Sequence, residues 1–214
     1  MILQKPSIEF IWMTEKPLET IERAGRTCYK SEDRTTDQSA ITFIGNLLRR
    51  RHEAMLEHAS ASYRVICDRG VTHEIVRHRL FSYAQESTRY CNYKGGVSFI
   101  IPSWCTRLSP MEYQDECLQN GDDSPDIVWL RQMRKAEVAY LGLLQREWKP
   151  QQARSVLPNS LKTEIVITGN LREWRHFFAL RTAKEAHPDM QVVAGMLLAD
   201  IQTRCPILFD WENL

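Results

Sequence analysis

The order of apolar and polar positions predicts a mixture of strands and helices along the chain. Alternating or short apolar runs, which are typical of strands, occur at residues 6–13, 59–67, 97–101 and 163–168. Helical spacing of apolar residues, or a Pro at a tolerated first position, predicts helices near 17–26, 41–48, 71–78, 171–181 and 188–204. A long helix is predicted near 126–149, where Pro150 would end it.

Strands and helices alternate without a regular strand–helix–strand rhythm, which favours the α+β class. We expect a single domain over residues 1–214, with a central, mostly antiparallel sheet flanked by helices. The polar segment 118–125, which contains Asn, Gly, Asp and Pro, is predicted to be a loop and is too short for a domain linker.

Composition narrows the class of protein. The chain has 214 residues, of which 43% are hydrophobic and 26% charged, as in ordinary globular proteins. A net charge of +1 argues against a nucleic-acid partner. No apolar run is long enough for a signal peptide or a membrane span, and the six cysteines form no CxxC pair. We therefore expect a reduced, cytoplasmic protein with no membrane partner.

Two strings in the sequence begin with His-Glu and are candidate metal sites. They are HEAMLEH at 52–58 and HEIVRH at 73–78. A zincin needs two histidines four residues apart on one helix face, whereas these spacings are six and five. Five residues turn a helix by about 140° beyond a full turn, so the side chains point apart. The sequence predicts no metal.

The densest chemical signal is the segment 77–90, with the sequence RHRLFSYAQESTRY. No Gly-rich phosphate loop occurs elsewhere, so a bound phosphate would depend on arginine side chains, whose planar fork pairs with phosphate. The segment supplies three arginines, hydroxyls, an amide and aromatic rings, which are groups that hold phosphate, sugar and a planar heterocycle. A charged surface turn is the alternative.

The same segment resembles the flavin-dependent thymidylate synthases, whose signature is Arg-His-Arg, seven residues, then Ser. Arg77, His78, Arg79 and Ser87 fit it without a gap. Similar blocks follow in family order at 24–29, 52–58, 102–103, 153–158 and 181–191. The resemblance implies synthesis of dTMP from dUMP, with 5,10-methylenetetrahydrofolate as carbon donor and FAD reduced by NADPH. It also implies a homotetramer with active sites built from several subunits, and no attacking enzyme cysteine.

The resemblance assigns cofactor contacts residue by residue. Arg172 and His176 are four apart, so on a helix they share one face. Flavin-contacting positions are matched by Ala54, Glu57, Arg77, His78, Arg79, Gln85, Asn170, Arg172 and His176.

Substrate contacts are assigned in the same way. Arg181 matches the arginine credited with activating the pyrimidine, where a fixed cation would stabilise developing charge; a helix-terminal arginine favoured by the dipole is the alternative. Ser87 has no partnered base in the sequence, so it is assigned to binding. The dUMP-binding positions are Glu74, Arg77, Gln85, Glu86, Ser87, Thr88, Arg89, Arg154 and Arg181.

Five positions depart from the family pattern: Ala54, Glu74, Ala84, Gln85 and Glu185. Ala84 has no side-chain hydrogen bond to offer where many members carry Asn. Two other functions therefore stay open beside the synthase. One is a flavin or nucleotide protein that has lost the activity, and the other is a nucleic-acid-binding module that uses the same arginines.

Overall fold

The computed structural model describes residues 1–113 and 123–210. Within them, strands and helices follow one another without a regular strand–helix–strand rhythm, and the α+β prediction is confirmed. The strands are β1 Ile2–Gln4, β2 Ser7–Met13, β3 Ser60–Asp68, β4 Ser82–Gln85, β5 Ser98–Ile100, β6 Met111–Glu112 and β7 Lys162–Asn170.

The helices begin, in most cases, at a residue suited to that position. Five of them start with Pro at N1, where its missing N–H costs nothing. The helices are α1 Pro17–Tyr29, α2 Ser39–Arg49, α3 Arg69–Ile75, α4 Pro125–Gln145, α5 Pro150–Ala153, α6 Leu171–Arg181, α7 Pro188–Arg204 and α8 Pro206–Phe209. Short 3-10 turns lie at Glu32–Arg34, Glu53–His58 and Arg154–Val156. No helix in the described ranges is long and apolar enough to cross a membrane.

Two sheets organise the strands, and pairing is mostly antiparallel. A four-stranded sheet has the order β2-β3-β7-β4, and a three-stranded sheet the order β5-β1-β6. In the smaller sheet, β1 pairs in parallel with β5, with Leu3 opposite Phe99, and antiparallel with β6, with Leu3 opposite Met111.

The described chain divides into two compact units. Among the described residues, unit 1 contains 1–7, 65–75, 84–113 and 123–165, and unit 2 contains 8–64, 76–83 and 166–210. The core of unit 1 joins the small sheet to α4, with Leu3, Phe99, Leu130 and Tyr140 almost fully buried. Single-domain organisation stays a prediction.

The core of unit 2 is centred on α6. Trp174, Phe177 and Phe178 are fully buried and pack edge-on or stacked against one another, with ring centroids 5.5–5.7 Å apart. Burial of each such side chain stabilises the fold by about 1.5–3 kcal/mol. The Trp174 indole N–H donates to the Ala61 carbonyl on β3 at 3.2 Å, which fixes the helix against the sheet.

Most predicted elements are confirmed, and α6 and α7 have the predicted bounds. The long helix begins as predicted but ends at Gln145 rather than near 149. Glu147 adopts φ 66° and the Trp148 N–H closes on the Leu143 carbonyl, so the helix stops before Pro150 is reached. The helix predicted at 71–78 lies instead at Arg69–Ile75, and β1 and β4 were not predicted. The predicted loop 118–125 lies mostly outside the described residues.

Gly169 on β7 tests how tightly the aromatic core is packed. A Cβ there would lie 2.0 Å from Cδ1 of Phe81, whose ring is itself buried. We expect Gly169→Ala to lower the free energy of unfolding by about 1–3 kcal/mol, because the ring cannot move without disturbing its neighbours. Chemical denaturation measures this.

Gly45 in the interior of α2 is the matched control, since a Cβ there meets nothing within 4 Å. Gly45→Ala should raise stability by about 0.5–1 kcal/mol through helix propensity. Equal effects of the two substitutions would contradict the packing described for Phe81.

Candidate active site

Asn170 joins β7 to α6 and sets where the helix begins. Its side-chain oxygen accepts a hydrogen bond from the Glu173 backbone N–H at 2.8 Å, which is an ordinary N-cap. The cap fixes the phase of the helix, so the aromatic face is buried and Arg172 and His176 are exposed on the opposite face. The shared face predicted for these two residues is therefore confirmed.

A cleft of about 540 Å³ lies along this exposed face, and we call it the α6 cleft. Its walls combine carboxylates and cations with the apolar side chains of Leu80 and Ala179. Arg172 forms an ion pair with Glu57, and Arg175 one with Glu53 at 3.6 Å. The lining residues are Glu53, Glu57, Leu80, Asn170, Arg172, Glu173, Arg175, His176 and Ala179.

Three titratable side chains beside this cleft form one hydrogen-bonded chain. The His78 imidazole is 5% exposed. Its Nδ1 lies 3.3 Å from the Glu173 carboxylate, and its Nε2 lies 2.9 Å from Nε of Arg181. The rings of Phe177 and His176 pack against it with centroids 5.0 and 5.7 Å away.

The chain fixes the protonation state of His78. A guanidinium Nε–H can only donate, so His78 Nε2 must accept, and the ring proton lies on Nδ1, where it donates to Glu173. Burial, helped by the charges of Arg181 and His176, lowers the pKa of His78 from 6.5 to about 4. Burial also raises the pKa of the Glu173 carboxyl. His78 is therefore a neutral hydrogen-bond bridge at neutral pH.

His78, Glu173 and His176 also place one potential metal-ligand atom each within 4.8 Å of one another. The Arg181 guanidinium already donates to Nε2 of His78, and its positive charge opposes a bound cation. The geometry is that of a hydrogen-bonded chain, and the absence of a metal stays a prediction.

The second group of predicted residues lies in unit 1, at the end of β4. The Gln85 amide donates to the hydroxyls of Thr72 and Thr163, at 3.0 and 3.3 Å. Glu86 accepts from the Tyr93 hydroxyl at 2.8 Å and from Nζ of Lys162 at 3.2 Å. Both side chains are thereby held in single orientations.

The turn that follows places two arginines. Thr88 is buried, and its hydroxyl accepts from the Arg154 guanidinium at 2.9 Å. Ser87 Oγ accepts from the Arg89 backbone N–H at 3.3 Å, and the Arg89 side chain lies over the Tyr90 ring. Because these partners are neutral, both guanidinium charges stay available for an anion.

Four other predicted residues belong to neither of these two groups. Ala54, Arg77 and Arg79 are exposed, and Glu74 is half-buried on α3. Of the predicted cofactor residues, the α6 cleft collects Glu57, Asn170, Arg172 and His176. His58, at the end of the 52–58 string, is exposed.

Several functional candidates were missed by sequence reasoning. Glu173 is the main one, since it orients His78 across 95 residues of sequence. A signal existed, because a carboxylate three residues after Asn170 lies on the aromatic, inward face of a predicted helix. Thr72, Thr163, Tyr93 and Lys162 gave no local signal; their role comes from pairing in space.

Comparison with known proteins assigns the chain to a family. The profile of the thymidylate synthase complementing proteins matches residues 9–207. The chain belongs to this family. The flavin-dependent thymidylate synthase of Corynebacterium aurimucosum is 33% identical over 199 residues, which cover 89% of this chain and 78% of that protein. The flavin-dependent thymidylate synthase of Mycobacterium tuberculosis is 32% identical over 200 residues, 90% of this chain and 78% of that protein.

A solved structure has the same fold as this chain. A UMP/dUMP methylase from Streptomyces cacaoi, bound with 5-Br dUMP, superposes with a TM-score of 0.80 at 26% identity. The superposition covers 98% of this chain and 96% of that one. The likeness therefore extends over both units and is not limited to the signature segment.

The residues of the α6 cleft fit the chemistry of a flavin. The Arg172 guanidinium suits phosphates. Carboxylates, the His176 ring and the Asn170 amide suit ribityl and ring polar groups, and Leu80 and Ala179 give apolar surface. Arg172, Asn170 and Glu57 would hold the group when it is bound.

The protonation state of His78 is directly measurable. We expect nitrogen-15 NMR to show a neutral imidazole protonated at Nδ1 from neutral pH down to about 4. The pKa of His78 is lower in the folded state than in the unfolded state, so as pH falls the unfolded chain is protonated at His78 first. The contribution of neutral His78 to the free energy of unfolding is therefore complete above pH 6.5 and is lost as pH falls toward 4. A resonance that titrates near 6.5, or a proton on Nε2, would contradict the hydrogen-bonded chain.

Proposed function

We propose that this protein is a flavin-dependent thymidylate synthase that converts dUMP to dTMP, with 5,10-methylenetetrahydrofolate as carbon donor and NADPH as reductant. The observation that carries the proposal is membership of the family together with relatives named for this activity. The methylase that binds 5-Br dUMP on the same fold supports dUMP as the substrate.

The reaction balances without an enzyme nucleophile. The C5 hydrogen of dUMP leaves as a proton, the folate carbon takes its place, and two electrons from NADPH reduce that carbon to a methyl group. FAD, when bound, supplies the hydride chemistry between NADPH and the pyrimidine. The products are dTMP, tetrahydrofolate and NADP⁺.

Two of the buried cysteines are unsuited to thiolate attack. The five cysteines in the described part of the chain are free, and three of them are buried. Burial raises the pKa of the Cys205 thiol to about 12 and that of Cys67 further, so neither is a thiolate at neutral pH. No role in catalysis is assigned to either.

Arg181 is the residue proposed to activate the pyrimidine. Its Nε is fixed by His78, so the guanidinium plane has one orientation. A preorganised cation stabilises negative charge that develops on the uracil ring without reorganising during the reaction. Since both ring nitrogens of His78 are already used, we assign His78 to positioning Arg181 and Glu173 to positioning His78.

The other contacts are proposed from the family positions and the local anchoring. Arg89 and Arg154 suit the dUMP phosphate, since neutral hydroxyls and backbone groups hold the turn around them. Ser87 and the Gln85 amide would orient the nucleotide, and Glu74, Arg77, Glu86 and Thr88 complete the proposed substrate set. The proposed flavin set adds Ala54, Glu57, Arg79, Asn170, Arg172 and His176 to Arg77 and Gln85. His78, which the resemblance also places at the flavin, is assigned to positioning Arg181 instead, because both of its ring nitrogens have partners within the protein.

We also propose a cytoplasmic homotetramer with active sites built from several subunits. Large apolar side chains beside the α6 cleft support burial by another copy, since Leu80 is 72% and Leu180 50% exposed. A second copy of the chain would remove this apolar surface from water.

Release of tritium from [5-³H]dUMP tests the proposed function. We expect release by the flavin-loaded protein only when both methylenetetrahydrofolate and NADPH are present. Arg181→Lys should lower release about 100-fold, or about 3 kcal/mol, because Lys cannot keep both the His78 contact and the fixed fork.

Arg23→Lys, on the exposed face of α1, is the matched control and should keep wild-type release. The flavin absorbance of both variants should be unchanged. A protein that binds FAD and dUMP but releases no tritium would instead favour a family member that has lost the synthase activity.

The contact between Thr88 and Arg154 gives a separate test on the nucleotide side. We expect Thr88→Val to weaken dUMP binding about tenfold, since a hydrogen bond to a charged group contributes about 1.5 kcal/mol. Thr88→Ser keeps the hydroxyl and should bind dUMP as the wild type does. Equal affinity of the Val and wild-type proteins in calorimetry would show that Arg154 is not positioned through Thr88.

A further inference from the structure

A second cleft in unit 2, of about 530 Å³, is rich in cations, and we call it the basic cleft. It lies between the end of α1 and α2. Lys30, Arg34 and Arg50 line it, together with one carboxylate, Asp33. None of these side chains has a role in the proposed function.

The charge of the basic cleft is not balanced within the described chain. Lys30, Arg34 and Arg50 form no ion pair with any residue in the ranges 1–113 and 123–210. Most of the other described arginines that have a partner form an ion pair with a carboxylate, as Arg26 does with Glu22 at 2.7 Å. Three unpaired cations against one carboxylate leave a net positive charge that favours an anion.

One wall of the basic cleft is held in place by the contacts of a buried arginine. Arg26 is 7% exposed, lies over the Phe43 ring at 5.0 Å, and donates to the Ser31 carbonyl at 3.1 Å. This holds the chain after α1 in place, where Lys30 adopts a left-handed φ of 48°. This left-handed conformation is that of a common helix C-cap, in which the Lys30 N–H donates to the Arg26 carbonyl.

The basic cleft adjoins the α6 cleft along the chain. His52 lines the former, and the next residue, Glu53, lines the latter. The two clefts therefore have neighbouring walls at His52 and Glu53.

We propose that the basic cleft binds the oligoanionic tail of a co-substrate. The inference rests on the proposed function, which requires two such molecules. Methylenetetrahydrofolate ends in glutamate carboxylates, and NADPH carries a pyrophosphate and a 2′-phosphate. Both are flexible polyanions attached to a planar ring, and the test distinguishes them.

The test variant is Arg34→Glu/Arg50→Glu, because both side chains are exposed and lie outside the proposed catalytic groups. The flavin-loaded protein is assayed for the KM of mono- and triglutamyl methylenetetrahydrofolate, and of NADPH and NADH. We expect the KM of whichever co-substrate binds there to rise about tenfold, with kcat and the KM of dUMP unchanged. The rise should be smaller at high salt, which screens exposed charges.

Arg49→Glu is the matched control, since Arg49 neighbours Arg50 but does not line the cleft. Arg34→Gln/Arg50→Gln, which removes charge without reversing it, should give a smaller rise, and thermal unfolding confirms that each variant is folded. Loss of the preference for triglutamate identifies folate as the ligand, and loss of the preference for NADPH over NADH identifies the nucleotide. Unchanged preferences, or an equal change in Arg49→Glu, would overturn the proposal.

Direct binding separates this inference from the proposed function. Calorimetry with γ-linked triglutamate and with adenosine 2′,5′-bisphosphate needs no turnover. Binding to the wild type that is lost in Arg34→Glu/Arg50→Glu supports the basic cleft even if no dTMP forms. No binding of either probe to the wild type overturns it even if the enzyme is active.

Discussion

The buried chain from Glu173 through His78 to Arg181 is the constraint on which the proposed chemistry depends. An imidazole inside an aromatic core must have both nitrogens hydrogen-bonded, because an unpaired buried polar group costs about 1–3 kcal/mol. Here one partner is a carboxylate and the other a guanidinium, 95 and 103 residues away in sequence. The need to satisfy His78 therefore fixes the position of Arg181.

The rest of unit 2 holds this chain in place. The Asn170 cap sets the phase of α6, the phase buries Trp174 and Phe177, and the same turn points Glu173 inward. Packing, capping and the orientation of Arg181 are thus consequences of one helix register. The exposed face of the same helix, with Arg172 and His176, is left for the α6 cleft.

Unit 1 holds its cations in a different way. The Arg154 guanidinium is anchored by a threonine hydroxyl, and a serine hydroxyl holds the turn that carries Arg89. Neutral partners leave the positive charge uncompensated, whereas Lys162 pairs with Glu86 and Glu164. Arg89 and Arg154 are therefore suited to an anionic substrate, whereas Lys162 stabilises the fold.

Local sequence was sufficient for the elements that carry their own signals. The Gly-Asn before α6 and the Pro residues at α4 and α7 mark boundaries, and the spacing of Arg172 and His176 predicts that they share one face of a helix. The Arg-His-Arg signature indicated the family and the segment. It did not indicate that His78 faces inward, because that depends on Glu173 and Arg181, which are brought to it only by folding. Strands β1 and β4 were missed for the same reason. A segment of only three or four residues forms a strand because a neighbouring strand pairs with it, and that pairing is not visible in the local sequence.

The coupling between His78 and Arg181 is the most direct test of this account. A double-mutant cycle would compare kcat for dTMP formation in His78→Gln, Arg181→Lys and the double variant, with flavin content matched by absorbance. If His78 acts through Arg181, the double variant should be no slower than Arg181→Lys alone. Fully additive losses would show that His78 acts independently, and would contradict the account.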